Sequence, residues 1–253
     1  MAEHICGDEQ TFVKQMNRRA QKLGMKNTHF VNCNGLDADG HLTTARDIAI
    51  MSRELIAKYP EVHKYTKIWQ ENITHETKKG TSEFGLTNTN KFIRQYPYAT
   101  GLKTGSTGKA KFCLSATAEK DKIKLISVVM ASPNAKQRVK DAVVLMNYGF
   151  GRCKKYEDEI PIKDRKIQVK RGQKETVKAE TERGFEYVDT SGTELSRIKK
   201  KISAPIKKGQ KVGRVVYYLN KAEIGSLPIV SKESVKEVDY PYAIQSVLRT
   251  FFL

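Results

Sequence analysis

The run Lys103-Thr104-Gly105-Ser106-Thr107-Gly108-Lys109 holds two arrangements that chemistry can use. Ser106 and Lys109 have the spacing S-x-x-K, in which one helical turn sets an amine beside a hydroxyl and lets it take the hydroxyl proton. Lys103-Thr104-Gly105 offers instead a fixed positive charge, a hydroxyl donor and a position where backbone comes close to a ligand. That set suits a carboxylate held next to an acyl-transfer centre. Gly108 falls between Ser106 and Lys109, and a strand-like run follows. On a strand, residues three apart point to opposite faces, which argues against Ser106 as a nucleophile activated by Lys109. Ser196-Arg197-Ile198-Lys199 repeats S-x-x-K, and Ser132-Pro133-Asn134 gives S-x-N. Both are short matches that chance supplies in a chain containing many Ser and Lys.

The elements that must position this run are legible from periodicity. Phe12, Val13, Met16, Ala20 and Leu23 form one helical stripe over 9–23, with Gly24 as the residue that ends it. The turn-rich NCNGLDADGH follows. Thr44 with Asp47 resembles a capping box, and a helix is expected from Ala45 to Ala57, stopped before Pro60. Phe112 to Thr117 and Lys124 to Met130 read as strands joined around Glu119-Lys120-Asp121. Ala135 to Tyr148 reads as a helix with Val139, Val143 and Met146 on one face and Gly149 at its end. After Gly151 the texture changes to short alternating runs, among them Ile167-Gln168-Val169, Thr176 to Ala179 and Arg214 to Leu219, which suit a small β-sandwich or barrel. The expected division is 1–153, 159–238 and a terminal segment 239–253. In that last segment Asp239 caps, Pro241 sits at the first helical position, and Ile244, Val247, Leu248, Phe251 and Phe252 share a face. Such a face can lie on a membrane surface or pack on its own domain.

Bulk properties narrow the class. The chain has 253 residues and a net charge of +18, which favours an anionic partner such as nucleic acid, an anionic membrane face or a polyanionic cell wall. The densest basic runs are Lys199-Lys200-Lys201 and Lys207-Lys208, and no nucleic-acid module is present, so no nucleic acid partner is expected. The cysteines at 6, 33, 113 and 153 form no C-x-x-C, and no His stands at ligand spacing from them. Free buried thiols and no metal site are expected. No run approaches the ~20 apolar residues of a membrane span. The stretch Met1 to Gly7 lacks the basic and apolar regions of a signal peptide and reads as the tail of a helix that began earlier.

LTNTNKFIRQYPYATGLKTGSTGKAKFCLSATA resembles the third-motif region of serine D-Ala-D-Ala carboxypeptidases, the low-molecular-mass penicillin-binding proteins. KLGMKNTHFVNCNGLDADGHLTTARDIAIMSRELI, LISVVM with AKQRVKDAVVLMNYGF, and SAPIKKGQKVGRVVYYLN continue the resemblance in order along the chain. It implies an α+β fold: a partial beta-lactamase/transpeptidase-like domain, with an antiparallel sheet and helices, followed by a small C-terminal β-sandwich. It implies removal of the terminal D-alanine from peptidoglycan pentapeptides through a serine acyl-enzyme, acylation by beta-lactams, no cofactor and no metal, and work outside the cytoplasmic membrane. On the matching positions, Lys103 and Thr104 belong to the substrate-binding side, Gly105 permits close approach, and the Ser106 N–H is an oxyanion donor. Arg138 stands near the substrate carboxylate, and Lys111 replaces a usual glycine. The family's S-x-x-K nucleophile motif and its S-x-N motif fall before Met1, so the resemblance implies an N-terminally truncated and inactive chain. The alternative is a non-catalytic peptidoglycan-binding protein that keeps the scaffold.

Overall fold

In the computed structural model the chain opens on a short helix α1 (Ala2–Cys6) and turns at Gly7 into α2 (Glu9–Leu23). Residues 1–78, 80–190, 196–198, 202–203 and 205–251 are described. Local chemistry sets the ends of α2. The Thr11 amide donates to Asp8 Oδ1 at 2.7 Å, and Gly24 closes the helix in the left-handed region at φ 78°. Helix α3 (Ala45–Lys58) begins where the Asp47 amide donates to Thr44 Oγ1 at 3.2 Å. The Asp47 carboxylate does not complete a reciprocal capping box. It is buried and accepts from the Asn27 amide at 2.9 Å and Thr28 Oγ1 at 2.7 Å, tying the preceding loop to α3. Helix α4 (Val62–Thr66), the hairpin of β1 (Gln70–Thr77) and β2 (Gly80–Thr87), and α5 (Phe92–Gln95) follow.

The chain separates into two compact units, Met1–Arg152 and Cys153–Leu253. The first is built on a three-stranded antiparallel sheet of β3 (Ala99–Thr107), β4 (Lys111–Lys120) and β5 (Ile123–Ser132) in that order, with α6 (Ala135–Arg152) against it. In β4 every residue from Leu114 to Ala118 is buried, because both faces are covered. Leu114, Ala116 and Ala118 pack with Val139, Ala142 and Met146 of α6 and with Phe92 and Tyr96. Ser115 turns the other way and shares a 2.7 Å hydrogen bond with Ser52 of α3, and Thr117 accepts from Thr100 Oγ1 at 2.8 Å. Hydroxyls thus satisfy one another on the face that faces α3.

Two boundaries differ from the sequence expectation. Helix α6 does not end at Gly149 but continues to Arg152. A Cβ on Gly149 would stand 2.7 Å from Leu125 Cδ1, so this glycine serves close helix–sheet packing and is no stop signal. The strands β4 and β5 run longer than the apolar cores that signal them, and their turn is Asp121-Lys122. The thiols also differ: all four cysteines are free, but Cys33 is exposed and the others are only half-buried.

The second unit contains β6 (Lys154–Asp158), β7 (Arg165–Lys170), β8 (Thr176–Thr181), β9 (Phe185–Asp189), β10 (Ser196–Ile198), β11 (Ile202–Ser203), β12 (Lys211–Leu219) and β13 (Ala222–Ser231). Six strands form one sheet in the order β10-β12-β13-β8-β7-β11, and β6 pairs with β9. All pairings are antiparallel except the short β11–β7 contact. Val177, Ala179, Val215, Tyr217, Leu227 and Ile229 make the core, and the Phe185 ring stacks on Tyr217 at 3.7 Å. On the solvent side, Lys166 of β7 stands directly opposite Lys178 of β8. Helix α7 (Tyr240–Phe251) starts where the Tyr242 amide donates to Asp239 Oδ1 at 2.9 Å, and Tyr242 Oη donates to the Gln173 carbonyl at 2.7 Å. Ile244, Val247 and Leu248 are exposed. The Phe251 side chain and Phe252, expected on the same face, lie outside the described residues, as does the Lys199-Lys200-Lys201 run.

The first core makes a quantitative prediction. Phe92 is fully buried between the sheet and α6. Phe92→Ala is expected to cost about 3–5 kcal/mol, seen as a lower urea midpoint in equilibrium unfolding.

Candidate functional site

Among the described residues strand β3 pairs with β4 alone, so its other side is an edge. Lys103, Gly105 and Ser106 are exposed along it, while Thr104 is buried. An edge strand presents unpaired backbone donors and acceptors that an extended peptide can complete. Here the edge is fixed at four points. At its start the Thr100 carbonyl accepts from Thr66 Oγ1 at 2.7 Å and lies 2.9 Å from His63 Nδ1, both from α4. Gly101 makes that approach possible, since a Cβ there would fall 2.6 Å from Thr66 Oγ1. In the middle, Thr104 and Thr89 share a hydroxyl hydrogen bond of 2.9 Å.

The third point is Arg138 of α6. Its guanidinium reaches behind the strand, and Nη1 donates to the carbonyls of Gly105 at 3.2 Å and Cys113 at 3.1 Å. The residue is buried and stacks over the Phe112 ring, and Nε finds no partner among the described residues. Burial lowers its pKa, but a guanidinium keeps its proton in proteins. Arg138 thus places a permanent charge under the Lys103–Ser106 segment.

The fourth point is Asp37. Thr107 Oγ1 donates to its Oδ1 at 2.6 Å and the Lys109 amide to its Oδ2 at 3.0 Å. These bonds to the charged form hold the carboxyl below its usual pKa, the Thr107 hydroxyl contributing most. The Lys109 amine reaches Asp39 at 3.3 Å, so the S-x-x-K amine is engaged by the neighbouring loop. Ser106 lies in β3 and Lys109 in the turn after it. Lys111, the first residue of β4, takes φ 53°, a backbone that glycine adopts more easily. Lys103 Nζ donates to the Thr104 carbonyl at 2.6 Å.

The structure therefore brings Lys103, Thr104, Gly105, Ser106 and Arg138 together. It adds Asp37, Thr66 and Thr89, which the residue types alone did not single out. Thr89 sits in the Asn88-Thr89-Asn90 run, where Asn88 Nδ2 donates to the Ile68 carbonyl at 2.9 Å and the Phe92 amide donates to Asn90 Oδ1 at 3.2 Å. Beside the edge opens a cleft of about 1250 Å³, lined on its apolar side by Met51, Leu55, Leu102 and Met130 and on its polar side by Lys103 and Ser106. No cluster of His, Cys, Asp or Glu suited to a metal occurs among the described residues.

Residues 1–134 match the family model described as D-alanyl-D-alanine carboxypeptidase, and residues 155–237 match the C-terminal domain of penicillin-binding protein 5. The D-alanyl-D-alanine carboxypeptidase DacF of Bacillus subtilis is 36% identical over 251 residues, which is 95% of this chain and 62% of that protein. The corresponding DacD of Escherichia coli is 33% identical, over 94% of this chain and 61% of its own length. The crystal structure of penicillin binding protein 5 from Haemophilus influenzae aligns with a TM-score of 0.67 and 30% identity, covering 93% of this chain and 69% of that one. The chain thus spans about three fifths of the length of these curated relatives.

The Asp37 clamp can be read directly. Asp37→Asn is expected to speed hydrogen exchange at the Lys109 amide at neutral pH. In the unsubstituted chain the depressed carboxyl pKa means that protection is full above the ordinary carboxylate range and is lost as pH falls through the lowered value. Exchange that is equal in the two proteins at pH 7 would show that the clamp does not hold the turn.

Proposed function

The chain belongs to the D-alanyl-D-alanine carboxypeptidase family, and on that premise we propose that it carries the substrate-holding wall of a peptidoglycan D-Ala-D-Ala carboxypeptidase. The observation that supports this most is the β3 edge on which Lys103, Gly105 and Ser106 are exposed, braced from behind by a buried arginine. An extended peptide ending in D-Ala-D-Ala lies along β3. Its terminal carboxylate sits against Lys103 Nζ and Thr104 Oγ1, within the field of Arg138. Gly105 leaves room for the peptide backbone. The Ser106 N–H donates to the carbonyl oxygen of the scissile bond, where negative charge develops in the tetrahedral intermediate. Ser106 therefore acts through its amide and not its hydroxyl.

The chemistry is serine acyl transfer. A serine oxygen attacks the carbonyl carbon, the C–N bond breaks, the D-alanine amine leaves with a proton, and water then hydrolyses the ester. Beta-lactams present the same carboxylate and carbonyl to the same wall and acylate the same serine. The wall itself supplies binding and electrostatics, with neither nucleophile nor base, and no cofactor enters. The relatives' names favour this reading over a non-catalytic wall-binding protein.

The reading places the protein outside the cytoplasmic membrane, on the membrane or wall, in peptidoglycan maturation and cell shape. Helix α7 then serves as a surface anchor through Ile244, Val247 and Leu248. Among the described residues no helix is long and apolar enough to cross a membrane, and an interfacial helix does not need to be.

Two experiments test this. Titration calorimetry with an N-acylated peptide ending in D-Ala-D-Ala is expected to show binding that Lys103→Ala weakens by about tenfold, while penicillin leaves the intact mass of the chain unchanged. Absence of peptide binding would sink the wall; a stoichiometric penicillin adduct would show a working nucleophile in the chain. In flotation with anionic vesicles, Val247→Glu is expected to release the protein, and unchanged partitioning would mean that α7 only packs.

A further inference from the structure

The second unit breaks a pairing rule inside its sheet. Lys166 of β7 stands directly opposite Lys178 of β8, and like charges so placed, with Cβ atoms about 5 Å apart, weaken the pair. Both strands have neighbours on their other sides, β11 and β13, so these lysines do not guard a sheet edge. Val177 and Ala179, which flank Lys178, are buried in the core, and Ile167 beside Lys166 packs on it. The two lysines therefore point away from the core. Both are exposed, and among the described residues neither has an ion-pair partner.

The row continues on the far side of β8. The Lys232 amide donates to the Lys178 carbonyl at 2.8 Å, and Lys232 Nζ reaches Glu180 Oε2 at 2.9 Å and Asp164 Oδ1 at 3.0 Å. Glu180 is two residues from Lys178 and shares its face, so Lys232 lies on that face as well. The three lysines span about 10 Å across the strands. The Asp164 carboxyl is held below its ordinary pKa by the hydrogen bond and charge of Lys232, with the charges of Lys178 and Lys163 adding to it. Four lysines thus answer two carboxylates, and the excess is a positive field open to solvent. The next pair along the strands sets Gln168 opposite Thr176, about 7 Å from the lysine pair. Neither β7 nor β8 contains an aromatic residue, so no ring stands beside the lysines to stack a base.

We propose that the exposed face of β7 and β8 binds a linear phosphodiester polymer whose linkers carry hydroxyl groups, a polyol phosphate chain. Its phosphates lie over Lys166, Lys178 and Lys232, and its hydroxyls meet Gln168 and Thr176. Lysine suits such a partner, since its ammonium holds a phosphate as a point charge, without the fixed fork by which arginine orients one. The polymer supplies the negative charge that the Lys166–Lys178 opposition lacks. The site lies in the second unit and neither needs nor tests the Lys103–Ser106 edge.

The probes are fluorescently labelled poly(glycerol phosphate) and an oligothymidylate of equal charge, titrated with the whole chain at several salt concentrations and read by anisotropy. Poly(glycerol phosphate) is expected to bind more tightly than the oligothymidylate. The double substitution Lys166→Gln and Lys178→Gln is expected to weaken poly(glycerol phosphate) binding about tenfold and to flatten its salt dependence. The control is Lys14→Gln with Lys22→Gln, which removes the same charge from the exposed side of α2 and is expected to change neither quantity. Because the first pair of substitutions removes a like-charge opposition, its urea midpoint is expected to be no lower than that of the unsubstituted chain. Equal weakening by the two double variants would mean that net charge alone binds the polymer, and would overturn the site. Tighter or equal binding of the oligothymidylate would overturn the polyol phosphate in favour of a nucleic acid. A lower urea midpoint in the Lys166 and Lys178 variant would make the pair structural and would also overturn the site.

Discussion

The first unit is organised around one constraint: a strand that must stay open along one side and yet hold still. An edge that is to take a peptide, as proposed for β3, cannot be fixed by a neighbouring strand, because that strand would occupy the peptide's place. Strand β3 is therefore fixed by everything else around it. Strand β4 holds its inner side, α4 its Thr100 carbonyl, Thr89 its middle, Arg138 its back and Asp37 its last turn. Each brace comes from a different part of the chain, so the geometry of four consecutive residues depends on the fold of the whole unit.

Arg138 shows how binding and packing share one group. A buried guanidinium is costly unless its donors are met, and here two backbone carbonyls of adjacent strands accept from a single Nη1. Those bonds lock the β3–β4 pair, and the charge they hold in place is the one an anionic ligand would feel. The small side chains of β4 serve the same end, since Ala116 and Ala118 let α6 approach closely enough for its arginine to reach the far strand.

The Lys103–Ser106 run stood out in the sequence through the longer stretch around it, since Lys, Thr and Gly in one run also occur in ordinary loops, and α3 was legible because a cap at Thr44 and an apolar pattern coincide. What escaped was decided by distance in the chain. Asp37 lies in a turn-rich stretch and reads only as turn chemistry until the fold brings it to Thr107. The hairpin 70–87 carries no buried face, so it has no apolar alternation to betray it. Gly149 reads as a helix end because glycine usually is one, and only the position of Leu125 shows that it is a packing residue.

In the second unit, Lys166 and Lys178 face each other across adjacent strands, and Lys232, just past the end of β13, donates its amide to the Lys178 carbonyl. Asp164 and Glu180 answer Lys232 by direct ion pairs, but opposed like charges weaken a pairing unless something screens them. Mobile counter-ions do so in solution, and a fixed array of negative charge would do so at a surface. Screening relieves the Lys166–Lys178 opposition while it weakens the exposed Lys232 pairs, so the pairing of β7 with β8 feels the ionic medium around it through two effects of opposite sign.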